Sequence, residues 1–203
     1  MRTRFYVLLG VASVALAPMV VTAAVVLKMD TADLARGSHL IIQGTVVGSD
    51  VQWEDGPNGP MNFRTVTTIQ VDRTFKGAPA GVITVVEPGG TVAGLTQSWP
   101  GIPRFNLGEE AILFLQRMPN QGLLLPGLQP GDLTVFGLEQ GHMTIREQPG
   151  AGKVVTQSFD GLKFHGSAIG IEATPKRSLK DVVAEIENTV AAQRGGTDKE
   201  GGR

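Results

Sequence analysis

Three histidines, His39, His142 and His165, are the side chains in this sequence best suited to ligation or proton transfer near neutral pH. None sits in an HxxxH or HExxH spacing, which would set two imidazoles on one helix face for zinc. His142 and His165 could still meet through the fold, with Glu139 joining them, but polar strand-end roles explain them more simply. Ser38 and Ser167 lack the G-x-S-x-G elbow of a hydrolytic serine. Ser167, His165 and Asp160 form a triad only if folding brings them within hydrogen-bond reach, which closeness in sequence does not ensure. Asp50, Glu54, Asp55 and Asn58 offer oxygen ligands for calcium, yet their spacing departs from an EF-hand and suits a solvated hairpin tip. Gly89-Gly90 could cradle an anion, but no Lys-bearing helix follows as in a phosphate loop. No catalytic residue, metal or cofactor is therefore assigned.

Contact chemistry remains. Trp53, Trp99, Arg104 and Phe105 are the residues most able to grip a partner, since aromatic and guanidinium groups carry much of the energy of interfaces. For Trp99, anchoring in the core is the stronger competing expectation. Three of the four lie in Glu87–Gln116, the stretch that organises the chain. It opens with the Pro88-Gly-Gly90 turn, passes through Pro100-Gly-Ile-Pro103, and ends in the apolar run Ala111–Leu115. That run has the length of a strand buried on both faces. Thr91–Trp99 is too rich in small and polar residues to predict a strand. A connection this long is often functional.

Other elements must hold this stretch in place. Asp30–Arg36 predicts a short helix, with Asp30 or Thr31 as cap, Asp33 in the first turn and Gly37 as stop. His39–Trp53 predicts a long strand bent at Gly44 and Gly48. Phe63–Phe75 alternates, with Phe63, Thr65, Thr67, Ile69 and Val71 on one face. Gly81–Glu87 predicts a third strand. Leu123–Leu125, Asp132–Gly137, Glu139–Glu147 and Lys153–Phe159 predict shorter ones. Ser178–Arg194 predicts an amphipathic helix with a stripe of Leu179, Val182, Val183, Ile186 and Val190. Ser178 and Asp181 resemble a capping box, and Gly195-Gly196 should end the helix. The expected fold is mostly β: a small antiparallel OB-like barrel with a short N-terminal helix and a C-terminal amphipathic helix.

Composition sets the compartment. The 203 residues hold 41% hydrophobic and 18% charged side chains, 27 Gly, 12 Pro and no Cys. This describes a turn-rich globular domain without disulfides. Residues 1–24 have a positive start at Arg2 and Arg4, an apolar Phe5–Ala17 and small residues near Ala23 and Ala24, the pattern of a signal peptide. An uncleaved anchor is the alternative. The expected divisions are a leader at 1–24, a barrel at 25–175, a helix at 176–196 and a disordered tail at 197–203. Basic and acidic residues number 18 and 19, and no basic stripe emerges. Nucleic acid is disfavoured as a partner, as is membrane once the leader is gone.

Thr31–Arg36 leading into His39–Val47, then Phe75-Lys-Gly77, Pro88-Gly-Gly90, Pro100–Phe105 and Gly108–Leu115, resembles a set of uncharacterised secreted bacterial proteins. Their fold is similar to the OB barrel of netrin-like domains and tissue inhibitors of metalloproteinases. The resemblance spans about Thr31–Arg146 and implies fold. The inhibitors chelate zinc through an N-terminal cysteine, so a chain without cysteine cannot share that mechanism. The expected function is an exported, monomeric, non-enzymatic binding module for another exported protein or an envelope polymer. The alternatives are a secreted or periplasmic hydrolase using His142 or His165, and a membrane-anchored structural component of the envelope.

Overall fold

The structure, a computed structural model, describes residues 24–54, 62–79, 81–120, 125–165 and 176–200. The expected leader therefore lies outside the described residues except for Ala24. So do Ser167, Asp55, Asn58 and most of the expected strand Leu123–Leu125, whose Leu125 is described and is not in a strand.

Twelve strands and two α-helices are described. In chain order they are β1 (Ala24–Val26), α1 (Thr31–Gly37), β2 (Leu40–Glu54), β3 (Asn62–Lys76), β4 (Val82–Pro88), β5 (Gly90–Val92), β6 (Leu95–Gln97), β7 (Glu110–Arg117), β8 (Leu133–Val135), β9 (His142–Gln148), β10 (Gly152–Gln157), β11 (Leu162–Phe164), β12 (Arg177–Ser178) and α2 (Leu179–Glu200). The protein is thus mostly β. The main sheet is antiparallel, in the order β12-β10-β9-β7-β2-β3-β4, with β8 added to β7. No ladder joins β4 back to another strand, so the described sheet is not a closed barrel. A separate pair, β1 with β11, is parallel.

β7 is the middle of the molecule, as its unbroken apolar run requires. Ile112 and Phe114 join one core with Leu34, Ile41, Met143, Val182 and Ile186. Ala111, Leu113 and Leu115 join another with Ile42, Val46, Ile69, Val85 and Val135. The period-2 alternation of a strand therefore feeds two cores from one segment. Full burial of each large aliphatic or aromatic side chain contributes about 1.5–3 kcal/mol.

The pairing of β2 with β3 is irregular at Ile41/Ile42 and at both glycines of the strand. Register shifts occur at Gln43/Gly44 and Val46/Gly48. A Cβ on Gly44 would stand 2.5 Å from the backbone oxygen of Gln70, so only glycine allows this approach of β3. Asp30 caps α1 by accepting from the Asp33 amide at 2.7 Å, and the Asp33 carboxylate accepts in return from the Asp30 amide. In α2, Val182, Ile186 and Val190 are buried against the first core, and the Asp181 amide donates to Ser178 Oγ. The helix does not end at Gly195-Gly196 but continues to Glu200, replacing the start of the expected tail. Two glycines weaken a helix without forbidding it.

Other boundaries move as well. Thr91–Trp99 holds a small hairpin, β5 with β6, where no strand was predicted. The expected strand over Glu139–Glu147 begins only at His142. Leu138–Gly141 is a 3-10 turn entered through positive φ at Gly137 and Leu138 (77° and 59°). Among the described residues no helix is long and apolar enough to cross a membrane.

Candidate functional site

Between the β5–β6 hairpin and the segment Ser98–Phe105 lies a cleft of about 200 Å³. Trp99, Arg104 and Phe105 line it, together with Glu87, Pro88, Ile102 and Pro103. Trp99 is 39% exposed, so it is not the core anchor that competed with a contact role. Trp53, 52% exposed at the end of β2, is not among the lining residues. The fold thus brings three of the four predicted contact residues together and leaves the fourth outside.

The backbone makes this cleft possible. Gly89 has φ +96°, and a Cβ there would stand 2.6 Å from the Gln97 carbonyl oxygen. A side chain would therefore push the hairpin off its seat. The Gly89 amide donates to Phe63 O at 2.7 Å, and Thr65 Oγ1 donates to Gly89 O at 2.8 Å. Gln97 Oε1 accepts from the Phe63 amide at 2.8 Å. These bonds fasten the turn and the hairpin to β3.

The opposite wall is held by buried charge. Nε2 of His142 donates to Glu109 Oε1 at 2.7 Å, and Thr144 Oγ1 donates to the same oxygen at 2.9 Å. Asn106 donates to Glu109 Oε2 through its amide (3.2 Å) and its side chain (2.8 Å). Glu139 Oε1 stands 3.9 Å from His142 Nδ1, an ion-pair distance only. The Phe105 ring leans on the imidazole, centroids 4.9 Å apart and planes tilted by 52°. Glu109 thus fixes Asn106, which follows Phe105 in sequence, and His142, which meets its ring in space. At the other end of the segment, the Glu139 amide donates to Gly101 O at 2.8 Å.

Burial opposes the charge of both partners, but their mutual attraction prevails. Burial alone would lift the Glu109 carboxyl; the hydrogen bonds from His142, Asn106 and Thr144 and the imidazolium charge outweigh it and hold the pKa down, to about 2. Burial alone would lower the His142 pKa; the bond to Glu109 and the charges of Glu109 and Glu139 raise it to about 9. His142 is a charged, 4% exposed strut in this arrangement and does not present a free base.

Glu87 behaves in the opposite way. It is 3% exposed at the end of β4, and its Oε1 accepts from Thr134 Oγ1 at 2.8 Å and from the Val135 amide at 2.6 Å. Burial dominates and pushes its carboxyl up to about 8, against those two bonds and the charge of His142. The side chain ties β4 to β8 where no ladder does.

The remaining sequence candidates scatter. His165 is exposed at the end of β11, where its amide donates to Val26 O. Among the described residues it makes no contact with His142 or Glu139; His142 is bonded instead to Glu109, with Glu139 3.9 Å away. His39 is exposed just before β2. Asp50 is paired within the β2–β3 ladder. Among the described residues no group of three or more His, Asp or Glu side chains is placed to hold a metal ion. Glu87, Glu109 and Thr134 were not singled out from sequence. The one available signal was a carboxylate closing the largely apolar run Val82–Val86.

A second cavity of about 390 Å³ lies beside α2, lined by Met29, Met143, Val155, Phe159 and Val182. Its guanidinium is already engaged, since Arg177 bonds Glu185 at 2.6 Å and Thr31 Oγ1 at 2.9 Å. Arg104, by contrast, makes no hydrogen bond or ion pair among the described residues. No family model, no curated protein and no solved structure matches the chain.

Proposed function

We propose that the chain is an exported, monomeric, non-enzymatic binding module whose contact surface is the cleft of Trp99, Arg104 and Phe105. The observation that carries this reading is the convergence of an exposed indole, an uncommitted guanidinium and a braced phenyl ring on one concavity. Trp and Arg are the residue types that most often dominate binding energy. The partner is another exported protein or an envelope polymer, and export rests on the leader pattern of residues 1–24. We read the curved sheet as an OB-like barrel in which Glu87, bonded to β8, stands in for the missing β4–β8 ladder. The relation to netrin-like domains and tissue inhibitors of metalloproteinases is proposed on the turn and strand motifs alone.

The test is saturable binding. The mature chain, immobilised, is offered exported proteins and isolated wall polymers, in parallel with the Trp99→Ala, Arg104→Ala double variant. Binding by the parent that weakens at least tenfold in the variant is expected. Equal binding by both would move the contact surface elsewhere, and no saturable binding to either class would end the reading.

A further inference from the structure

We propose that the cleft receives the C-terminal residue of a polypeptide, with Arg104 facing its free carboxylate and the aromatic and proline wall facing an apolar last side chain. The proposal deepens the reading of the cleft as a contact surface and rests on it.

Charge gives the first reason. Of the residues lining the cleft, only Glu87 and Arg104 are ionisable. Arg104 is exposed and unengaged among the described residues. Glu87 is nine-tenths buried, and both of its bonds fall on Oε1. An oxygen that accepts from two donors acts as the carbonyl oxygen of a protonated carboxyl, so a proton on this group sits on Oε2. Burial keeps that proton in place up to about pH 8. The charges that face Glu87 are His142 of β9, which favours ionisation, and Glu139 of the 3-10 turn, which opposes it. At neutral pH the lining therefore holds one cation, Arg104, and no anion, beside the neutral polar groups of Thr65, Thr91, Thr96, Gln97 and Ser98, which suits a carboxylate.

Size and lining give the second reason. A volume of about 200 Å³ falls below the roughly 300–1,000 Å³ of sites that enclose drug-sized ligands. One residue fills it, and the rest of a longer ligand lies outside. The lining divides into a polar side of Thr65, Thr91, Thr96, Gln97 and Ser98 and an apolar wall of Pro88, Ile102, Pro103 and Phe105; hydroxyls set against that wall would lose solvation without recovering it. An aliphatic or aromatic side chain loses none.

The test uses Trp99 as reporter in a chain whose other indole is removed by Trp53→Phe. The probes are an N-acetylated tripeptide ending in phenylalanine with a free carboxylate, the same peptide as its C-terminal amide, and an oligogalacturonate. The acid is expected to shift Trp99 emission saturably, with the amide at least tenfold weaker. Arg104→Gln should remove that preference. Affinity for the acid should fall at least threefold from pH 7 to pH 9, and Glu87→Gln should abolish that fall. Equal binding of acid and amide would overturn the carboxylate assignment while leaving the cleft a contact surface. Tighter binding of the oligogalacturonate would overturn the peptide assignment in favour of a polymer. Silence from all three probes would overturn the proposal, while the double-variant comparison described above still decides whether the cleft binds anything.

Discussion

Phe114 and Glu87 are both almost fully buried, yet they belong to regions built on opposite principles. Around Phe114 the chain stacks aliphatic groups on a strand, and each contact is generic and interchangeable with a similar one. Around Glu87 the chain buries a carboxyl against one hydroxyl and one amide, where each partner is specific and loss of one leaves the rest unsatisfied. The Glu109–His142 wall is a third case: two charges hidden together that keep their charges by facing each other. The core supplies stability through bulk. The cleft receives its shape from a few polar bonds, and its electrostatic character follows from which of them carry protons.

Removing bulk should produce the largest effect. Phe114→Ala should lower unfolding stability by about 3–5 kcal/mol, as for buried aromatics elsewhere, read from urea melts at pH 6. A loss under about 1 kcal/mol would show that Phe114 does not hold the first core together.

Taken per pH unit, changing protonation should produce the next largest. Between pH 4.5 and about 8 the folded chain holds a proton on Glu87 that the unfolded chain has released, so stability falls with rising pH. His142 adds a second such proton between 6.5 and about 9. Glu109 acts in reverse: from 4.5 down to about 2 the unfolded chain takes a proton that the folded one refuses, so stability falls with falling pH. These three groups place the maximum near pH 4.5, with the descent steepest between 6.5 and 8. Each proton contributes a slope of at most about 1.4 kcal/mol per pH unit. Glu87→Gln should flatten the descent between pH 4.5 and 6.5 and leave the His142 portion. A profile unchanged by that substitution would assign the slope to other groups.

Changing the exposed lining should matter least for folding. Arg104→Ala and Trp53→Ala should each shift stability within about 0.5 kcal/mol, the usual range for surface positions, by the same melts. A larger loss in Arg104→Ala would make it a structural residue of the loop.

The regions also differ in how they can be read from sequence. The run Ala111–Leu115, the bends at Gly44 and Gly48, the Asp30 cap and the stripe of α2 were legible, because each is written in residues near one another with a fixed period. The hairpin was not, for its strands have three residues each and its turn departs from the usual signal. Ala93 and Gly94 both have positive φ (50° and 81°), a backbone that Asn-Gly or Gly-Gly would have announced. Nor was the polar wall legible. Glu87 meets Val135 from 48 positions away and Glu109 meets His142 from 33, and neither pair leaves a local pattern. Trp99, Arg104 and Phe105 were found by residue type; what they converge on came only with the fold.

What the cleft attracts depends on the protonation of one buried carboxyl. Carbon-13 labelling of the glutamates, with Glu87→Gln to assign the signal, gives its titration directly. A Glu87 carboxyl that is protonated at pH 7 and titrates near 8 is predicted. A Glu87 carboxyl already ionised at pH 6 would make the cleft zwitterionic and would contradict the account of what it attracts.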